Sequence, residues 1–189
     1  MSNKKEAKPF LKWAGGKSRL CEKINGILPA GNRLIEPFIG AGSVFLNTTY
    51  PKYLLSDVNQ DLINIYHLLQ TDGIDFINFA SHLFTTENNT QNAYLKNRLL
   101  FNTTTDIQLK SALFIYLNKH CFNGLCRYNL KGGFNVPFGK YANPKFPQDA
   151  LVSFVKKSKI AEFQIADFKK TMANAQKEML SIAIHPMYH

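Results

Sequence analysis

Two stretches of the chain share one format, and that format restricts the fold more than any other feature. "NRLIEPFIGAGSVFLNTTY" reads as a short apolar strand over about 33–38, a glycine-containing turn and the start of a helix. "KYLLSDVNQDLINIYHLL" repeats the pattern. A strand over 53–57 ends at Asp57 and a helix follows, with Asn59 or Asp61 placed to cap it. Strand–helix alternation at this spacing predicts a parallel, doubly wound α/β sheet, and "IAEFQIADF" offers it a later strand over 160–166.

Between these units the periodicity changes. From about 73 to 121, "GIDFINFASHLF", "NAYLKNRLLFN" and "IQLKSALFIYLNKH" carry apolar residues at helical spacing. "FNGLCRYNLKGGFNVPFGKYANPKFP", residues 122–147, is punctuated by Gly, Asn and Pro and predicts a loop plus β-hairpin. "QDALVSFVKKSK" is helical again. The expected layout is an α/β core over 9–72 that resumes over 148–176, with 73–147 as a helical and hairpin insertion. Within the last stretch, "KEMLSIAIHPMYH" at 177–189, "MLSIAI" has the pattern of a buried strand.

A chain of 189 residues, 45% hydrophobic, can bury a real core. No apolar run approaches the roughly 20 residues of a membrane helix, and "MSNKKEAKPF" lacks the apolar stretch of a secretory signal. Cys21, Cys121 and Cys126 cannot all pair, and no His/Cys set completes a zinc site. Reduced thiols, a cytoplasmic setting and no metal are therefore expected. A net charge of +10 and a pI near 9.5 suggest a polyanionic partner, although many basic proteins bind no nucleic acid.

Three segments carry chemistry. In "EPFIGAGSVF", Gly40 and Gly42 allow a tight turn and close approach of backbone to a ligand. With Asp57 closing the next strand, where a carboxylate can accept ribose hydroxyls, the pair points to an adenosine-type cofactor. The competing reading is a structural turn and a helix cap. In "FLKWAGGKSRL", "GGKS" is not a phosphate-binding P-loop, since Leu11 stands where that motif needs glycine. Gly15 and Gly16 instead bring backbone near a ligand, Lys17 supplies a cation, and Trp13 supplies an apolar face that could equally be core. Over 118–140, Phe122, Tyr128, Phe134 and Phe138 interleave with Arg127, Lys131 and Lys140 beside Asn118, Asn123, Asn129 and Asn135. Such residues can fork to bases or wedge into a base stack, or they can form a solvated hairpin with core aromatics.

Taken together, "FLKWAGGK", "EPFIGAGSVFLNT", "LLSDVNQDLI" and "YLNKHCFNGLCRYNLKGGFNVPFGKY" resemble, in order, the Dam-type DNA adenine methyltransferases, over about residues 9–176. The resemblance implies an incomplete Rossmann-like methyltransferase sheet with an inserted DNA-recognition region. It also implies S-adenosyl-L-methionine as methyl donor and adenine N6 in GATC duplex DNA as acceptor. Trp13, Lys17 and Asp57 would contact the cofactor, Glu36, Pro37, Phe38, Gly40 and Gly42 would form its turn, and Asp167 and Phe168 would flank its adenine. Lys12 and Arg127 would read guanine and the outer base pair, while Phe122, Asn123 and Leu125 would enter the duplex. Pro137 would meet a base edge and Lys140 a phosphate. Position 122, often Tyr in relatives, keeps the stacking face as Phe and loses the hydroxyl. A monomer in a bacterial or phage-infected cell is expected.

Such enzymes also need a DPPY-type strand end, which accepts hydrogen bonds from the extruded adenine's amine and stacks on the base. The 189 residues contain no DPPY, NPPY or SPPY. Synonymous codons can be chosen for "EMLSIAIHPMYH" that, read from the last base of an AAG lysine codon, spell "GDVVYCDPPYVP". The expectation is a frameshift at or just before Lys177, an out-of-frame tail over 177–189, and a chain without turnover; His185 and Tyr188 are not expected to replace the missing carboxylate. Sequencing the coding DNA tests it.

Overall fold

The computed structural model describes residues 6–173 and the backbone of 180–181. Four strands form one parallel sheet: β1 (Arg33–Glu36), β2 (Lys52–Asp57), β3 (Ala161–Ile165) and the short β4 (Leu180–Ser181), in spatial order β3-β2-β1-β4. Leu34 pairs with Tyr53 and Glu36 with Leu55, while Tyr53 pairs with Ala161 and Asp57 with Ile165. β4 lies beside Leu34 and Ile35. The expected parallel α/β architecture is present, and the first strand stops two residues early because the chain turns at Pro37. The rest of the 177–189 stretch, with its suggested frameshift, lies outside the described residues.

Helices cover both faces of the sheet. Tyr53 packs edge-on to Phe45 of α2 (Ser43–Asn47), at 4.9 Å between ring centroids. Behind them Tyr66 of α3 (Gln60–Thr71) stacks on Phe154 of α7 (Gln148–Ser158) at 4.7 Å. Ser56, one residue along β2 from Leu55, points to the opposite face and bonds Thr171 of α8 (Phe168–Ala173) at 2.6 Å. Alternate residues of β2 thus meet different layers, which is why Tyr53 to Ser56 are all buried.

The region between β2 and β3 is mostly helical, through α4 (Ile74–Ser81), α5 (Gln91–Thr103) and α6 (Ile107–His120). α6 is buried on every side from Ser111 to Asn118, so it forms the centre of this region. Side chains of Asn59, Thr90 and Asp106 cap α3, α5 and α6 by accepting N–H groups at 3.1, 3.2 and 3.0 Å.

Residues 121–141 double back as anticipated, but without a β-ladder. The arm closes through two isolated antiparallel bridges, Cys121 with Phe138 and Tyr128 with Phe134. Pro137 has no N–H to extend pairing, and the Asn129 side chain takes the Lys131 and Gly133 N–H groups at the tip, both at 2.9 Å. Two helices had no sequence signal: α1 (Cys21–Ile27), preceded by a 3₁₀ turn over Ser18–Leu20, and α8. α1 buries only Cys21 and Ile24, and α8 only Thr171, too few to display a period.

Candidate active site

Where β1 ends, the chain crosses to α2 through Pro37–Gly42. Gly40 and Gly42 both adopt positive φ, +47° and +75°, which favours glycine over any residue with a Cβ. At Gly40 a Cβ would also sit 2.9 Å from Cδ1 and Nε1 of Trp13. The turn is tied to the neighbouring strand end. Gly40 N–H donates to Asp57 Oδ2 at 3.1 Å, and Asp57 Oδ1 accepts the Asn59 N–H at 3.0 Å. The Tyr66 hydroxyl, buried beneath, donates to the Gly40 carbonyl.

This arrangement makes a small pocket whose walls include Trp13, Lys17, Glu36, Phe38, Gly40 and Asp57, six of the ten residues expected to meet a cofactor. Pro37 and Gly42 belong to the turn but not to the wall. The ring of Phe168 lies 5.8 Å from that of Phe38, and Asp167 caps α8, accepting the Lys170 N–H at 2.9 Å. Trp13 is part-buried, stacked against Phe114 at 6.5 Å with one edge against Gly40. It is therefore core on one side and pocket wall on the other.

Glu36 stands apart electrostatically. It is 2% exposed, and among the described residues neither carboxylate oxygen has a hydrogen-bond partner. Burial pushes its pKa from 4.5 up to about 8, opposed in part by the Lys17 ammonium and by the Phe45 N–H, which faces the carboxylate outside full hydrogen-bond geometry. A buried, unpaired acid on a pocket wall is costly unless a bound donor or cation compensates it.

The pocket shares Trp13, Ala14, Ala41 and Ser43 with a wider groove lined by Lys12, Asn123, Gly124 and Leu125. The groove thus brings part of the expected DNA set next to the expected cofactor set. Asn118, buried in α6, ties the Lys12 segment to the start of the arm. Its side chain accepts the Lys12 N–H at 2.9 Å and donates to the carbonyls of Lys12 and Gly124 at 2.8 and 3.1 Å. Lys12 Nζ lies 4.7 Å above the Tyr141 ring, whose hydroxyl accepts the Asn123 N–H at 3.0 Å. Phe122 is half-exposed. Arg127 reaches across the arm to Asn135, donating from Nε to Oδ1 at 2.8 Å. Pro137 and Lys140 are exposed, and Lys140 has a φ of +55°.

Sequence reasoning missed Tyr66, Lys119 and Asp61 as members of this neighbourhood. Lys119 is held near Lys12, and burial, with that second cation, pushes its pKa down to about 8. Only its position beside Asn118 hinted at this. Asp61, weighed as a helix cap, instead accepts from the Tyr128 hydroxyl at 2.9 Å and pairs with Lys110 at 3.0 Å. All three cysteines are free thiols. Among the described residues no cluster of His, Cys, Asp or Glu could hold a metal, and no helix is long and apolar enough to cross a membrane.

The family model of the D12 class N6 adenine-specific DNA methyltransferases matches residues 13–180. The chain belongs to that family. Among its relatives, a DNA adenine methylase of Serratia marcescens is 51% identical over 171 residues, covering 90% of this chain and 63% of the relative. One from Vibrio cholerae is 50% identical over 174 residues, with 92% and 63% covered. The DNA adenine methylase of Escherichia coli K12 is 45% identical over 171 residues, with 90% and 62% covered. The chain therefore spans somewhat less than two thirds of the length of the methylases it matches. In this D12-class chain the glycine turn, the strand-end acid and the polar arm all fall within the matched residues.

Proposed function

We propose that the chain binds S-adenosyl-L-methionine in the pocket beneath Trp13 and GATC duplex DNA along the 121–141 arm, the two ligands of methyl transfer to adenine N6. The observation that carries the cofactor reading is the buried, unpaired Glu36 carboxylate facing a pocket that also holds Lys17. A ligand with an ammonium and a carboxylate at one end satisfies both. Asp57 has further lone pairs for ribose hydroxyls, and the adenine lies toward Phe38, Asp167 and Phe168. When bound, the cofactor supplies an electrophilic methyl group, and the protein's part is to orient it and exclude water.

Region 73–147 is then the DNA-recognition part. Lys12 and Arg127 read base edges, and Phe122, Asn123 and Leu125 enter the stack. Pro137 lies against a base, and Lys140 takes a phosphate. The protein works as a monomer in the cytoplasm of a bacterial or phage-infected cell. The 189-residue polypeptide itself does not turn over, because no DPPY-type motif in its sequence can hold the extruded adenine amine.

Calorimetry with S-adenosylmethionine and a methyl-transfer assay on GATC duplex test these readings separately. Binding without methyl transfer is expected. Robust turnover by the purified chain sinks the inactive reading, and absence of cofactor binding sinks the pocket assignment.

A further inference from the structure

Two different bodies pin the arm. Its returning side is held by α5. The Asn102 side chain accepts the Phe134 N–H at 2.8 Å and donates to its carbonyl at 3.1 Å. Tyr94 and Arg98 both donate to the Val136 carbonyl, at 2.7 and 3.0 Å. Its outgoing side is held by the first turn of α3 instead. There Asp61 accepts from the Tyr128 hydroxyl at 2.9 Å, and the Asn59 amide lies 3.9 Å from Cys126 Sγ.

That first turn is also fastened to the pocket, because the Asn59 N–H and the Gly40 N–H share the two oxygens of Asp57. An acid in the first turn of a helix is ordinarily satisfied by water and the helix dipole. Asp61 instead has both oxygens committed, one to Tyr128 and one to Lys110, with only 16% of its side chain exposed. The bond to Tyr128 lands next to Arg127, whose guanidinium is held across the arm by Asn135.

We propose that Asp61 is a positioning residue. Through Tyr128 it sets the place of Arg127 from the same helical turn that is bonded to Asp57, so that filling the pocket and engaging DNA are coupled. The inference rests on the function proposed above. A ligand bonded to Asp57 stiffens the Gly40–Asp57–Asn59 connection. The outgoing side of the arm then loses less freedom on meeting DNA. Thermodynamic linkage requires the reverse effect, of DNA on the pocket, by the same factor.

The test measures the Kd of the 189-residue protein for a GATC duplex by fluorescence anisotropy, with and without saturating S-adenosylhomocysteine. Wild type is expected to bind DNA about five-fold more tightly with the ligand present. Tyr128→Phe keeps the ring against Phe134 and removes the hydroxyl, so the ratio should fall toward one while the Kd for S-adenosylhomocysteine alone stays within about two-fold. Asp61→Ala should behave like Tyr128→Phe. Asp61→Asn, which still accepts the tyrosine hydroxyl but forfeits the charge pair with Lys110, should keep the coupling. A purely structural ion pair predicts instead that Ala and Asn are equivalent, and that result overturns the proposal. Wild-type coupling in Tyr128→Phe overturns it too. So does a wild type that binds both ligands independently, which leaves the function reading standing. Failure to bind either ligand removes both.

Discussion

The pocket beneath Trp13 hangs from the ends of two buried parallel strands. The arm that carries Arg127 is closed by two isolated bridges and a set of amide side chains. In the pocket, backbone groups are tied by the strand ends themselves, as where Ile39 N–H donates to the Ser56 carbonyl at 3.0 Å. One group, Glu36, makes no hydrogen bond from its carboxylate among the described residues. In the arm almost the opposite holds, with carbonyls and N–H groups satisfied by Asn102, Asn118, Asn129, Tyr94 and Arg98. A scaffold of strand ends can tolerate an unpaired group where a ligand is received. An arm with only two isolated bridges relies on these side chains as well, since they reach backbone groups that its few cross-arm backbone bonds leave open.

The largest effect should come from Glu36. Its pKa is raised in the folded protein from 4.5 to about 8, so the native state holds the proton more tightly than the unfolded chain. The contribution of Glu36 to stability of the unliganded protein should be constant below about pH 4.5 and decline by about 1.4 kcal/mol per pH unit up to about pH 8. Above that the loss is complete. Chemical denaturation across this range should show the slope, and Glu36→Gln should flatten it. If the pocket were as fully satisfied as the sheet below it, no slope would appear.

Gly40→Ala comes next, and it attacks the pocket through its backbone. The positive φ and a Cβ 2.9 Å from the indole should cost about 2 kcal/mol. S-adenosylmethionine affinity should fall about ten-fold or more, as read by thermal unfolding and calorimetry. Asn102→Ala attacks the arm instead. It strands the Phe134 N–H and carbonyl, at a cost of about 1–3 kcal/mol. It should weaken GATC binding while cofactor affinity is unchanged, so equal loss of both ligands would erase the contrast between the two regions. Lys140→Gln should do least. With one phosphate contact gone, DNA affinity should fall only a few-fold, the slope of log Kd against log salt should change by about one, and thermal stability should hold.

How much of this was legible depends on how local each feature is. The turn at Gly40 and Gly42 and the strand ending at Asp57 are written in consecutive residues, so the pocket's outline could be read directly. That Asp57 accepts from Gly40, 17 positions away, could not, because the bond exists only once β1 and β2 lie in register. Asp61 shows the same limit. Its place one residue into α3 suggests a cap, and only the fold brings Tyr128, 67 positions on, to its carboxylate. The arm was recognisable from Gly, Asn and Pro, yet only the fold brings Asn102, 32 positions away, to the Phe134 N–H and carbonyl.

From its sequence alone the chain determined its parallel α/β class, its helical insertion, its glycine turn and its family. Strand pattern, turn residues and motif order are properties of neighbours along the chain. Tertiary structure alone decided that Glu36 is buried with neither oxygen in a hydrogen bond among the described residues and that Trp13 is half core and half wall. It also decided that one helical turn serves both the pocket and the arm. Those are matters of which distant groups share a low-dielectric space, and burial and hydrogen-bond satisfaction exist only after the chain has folded.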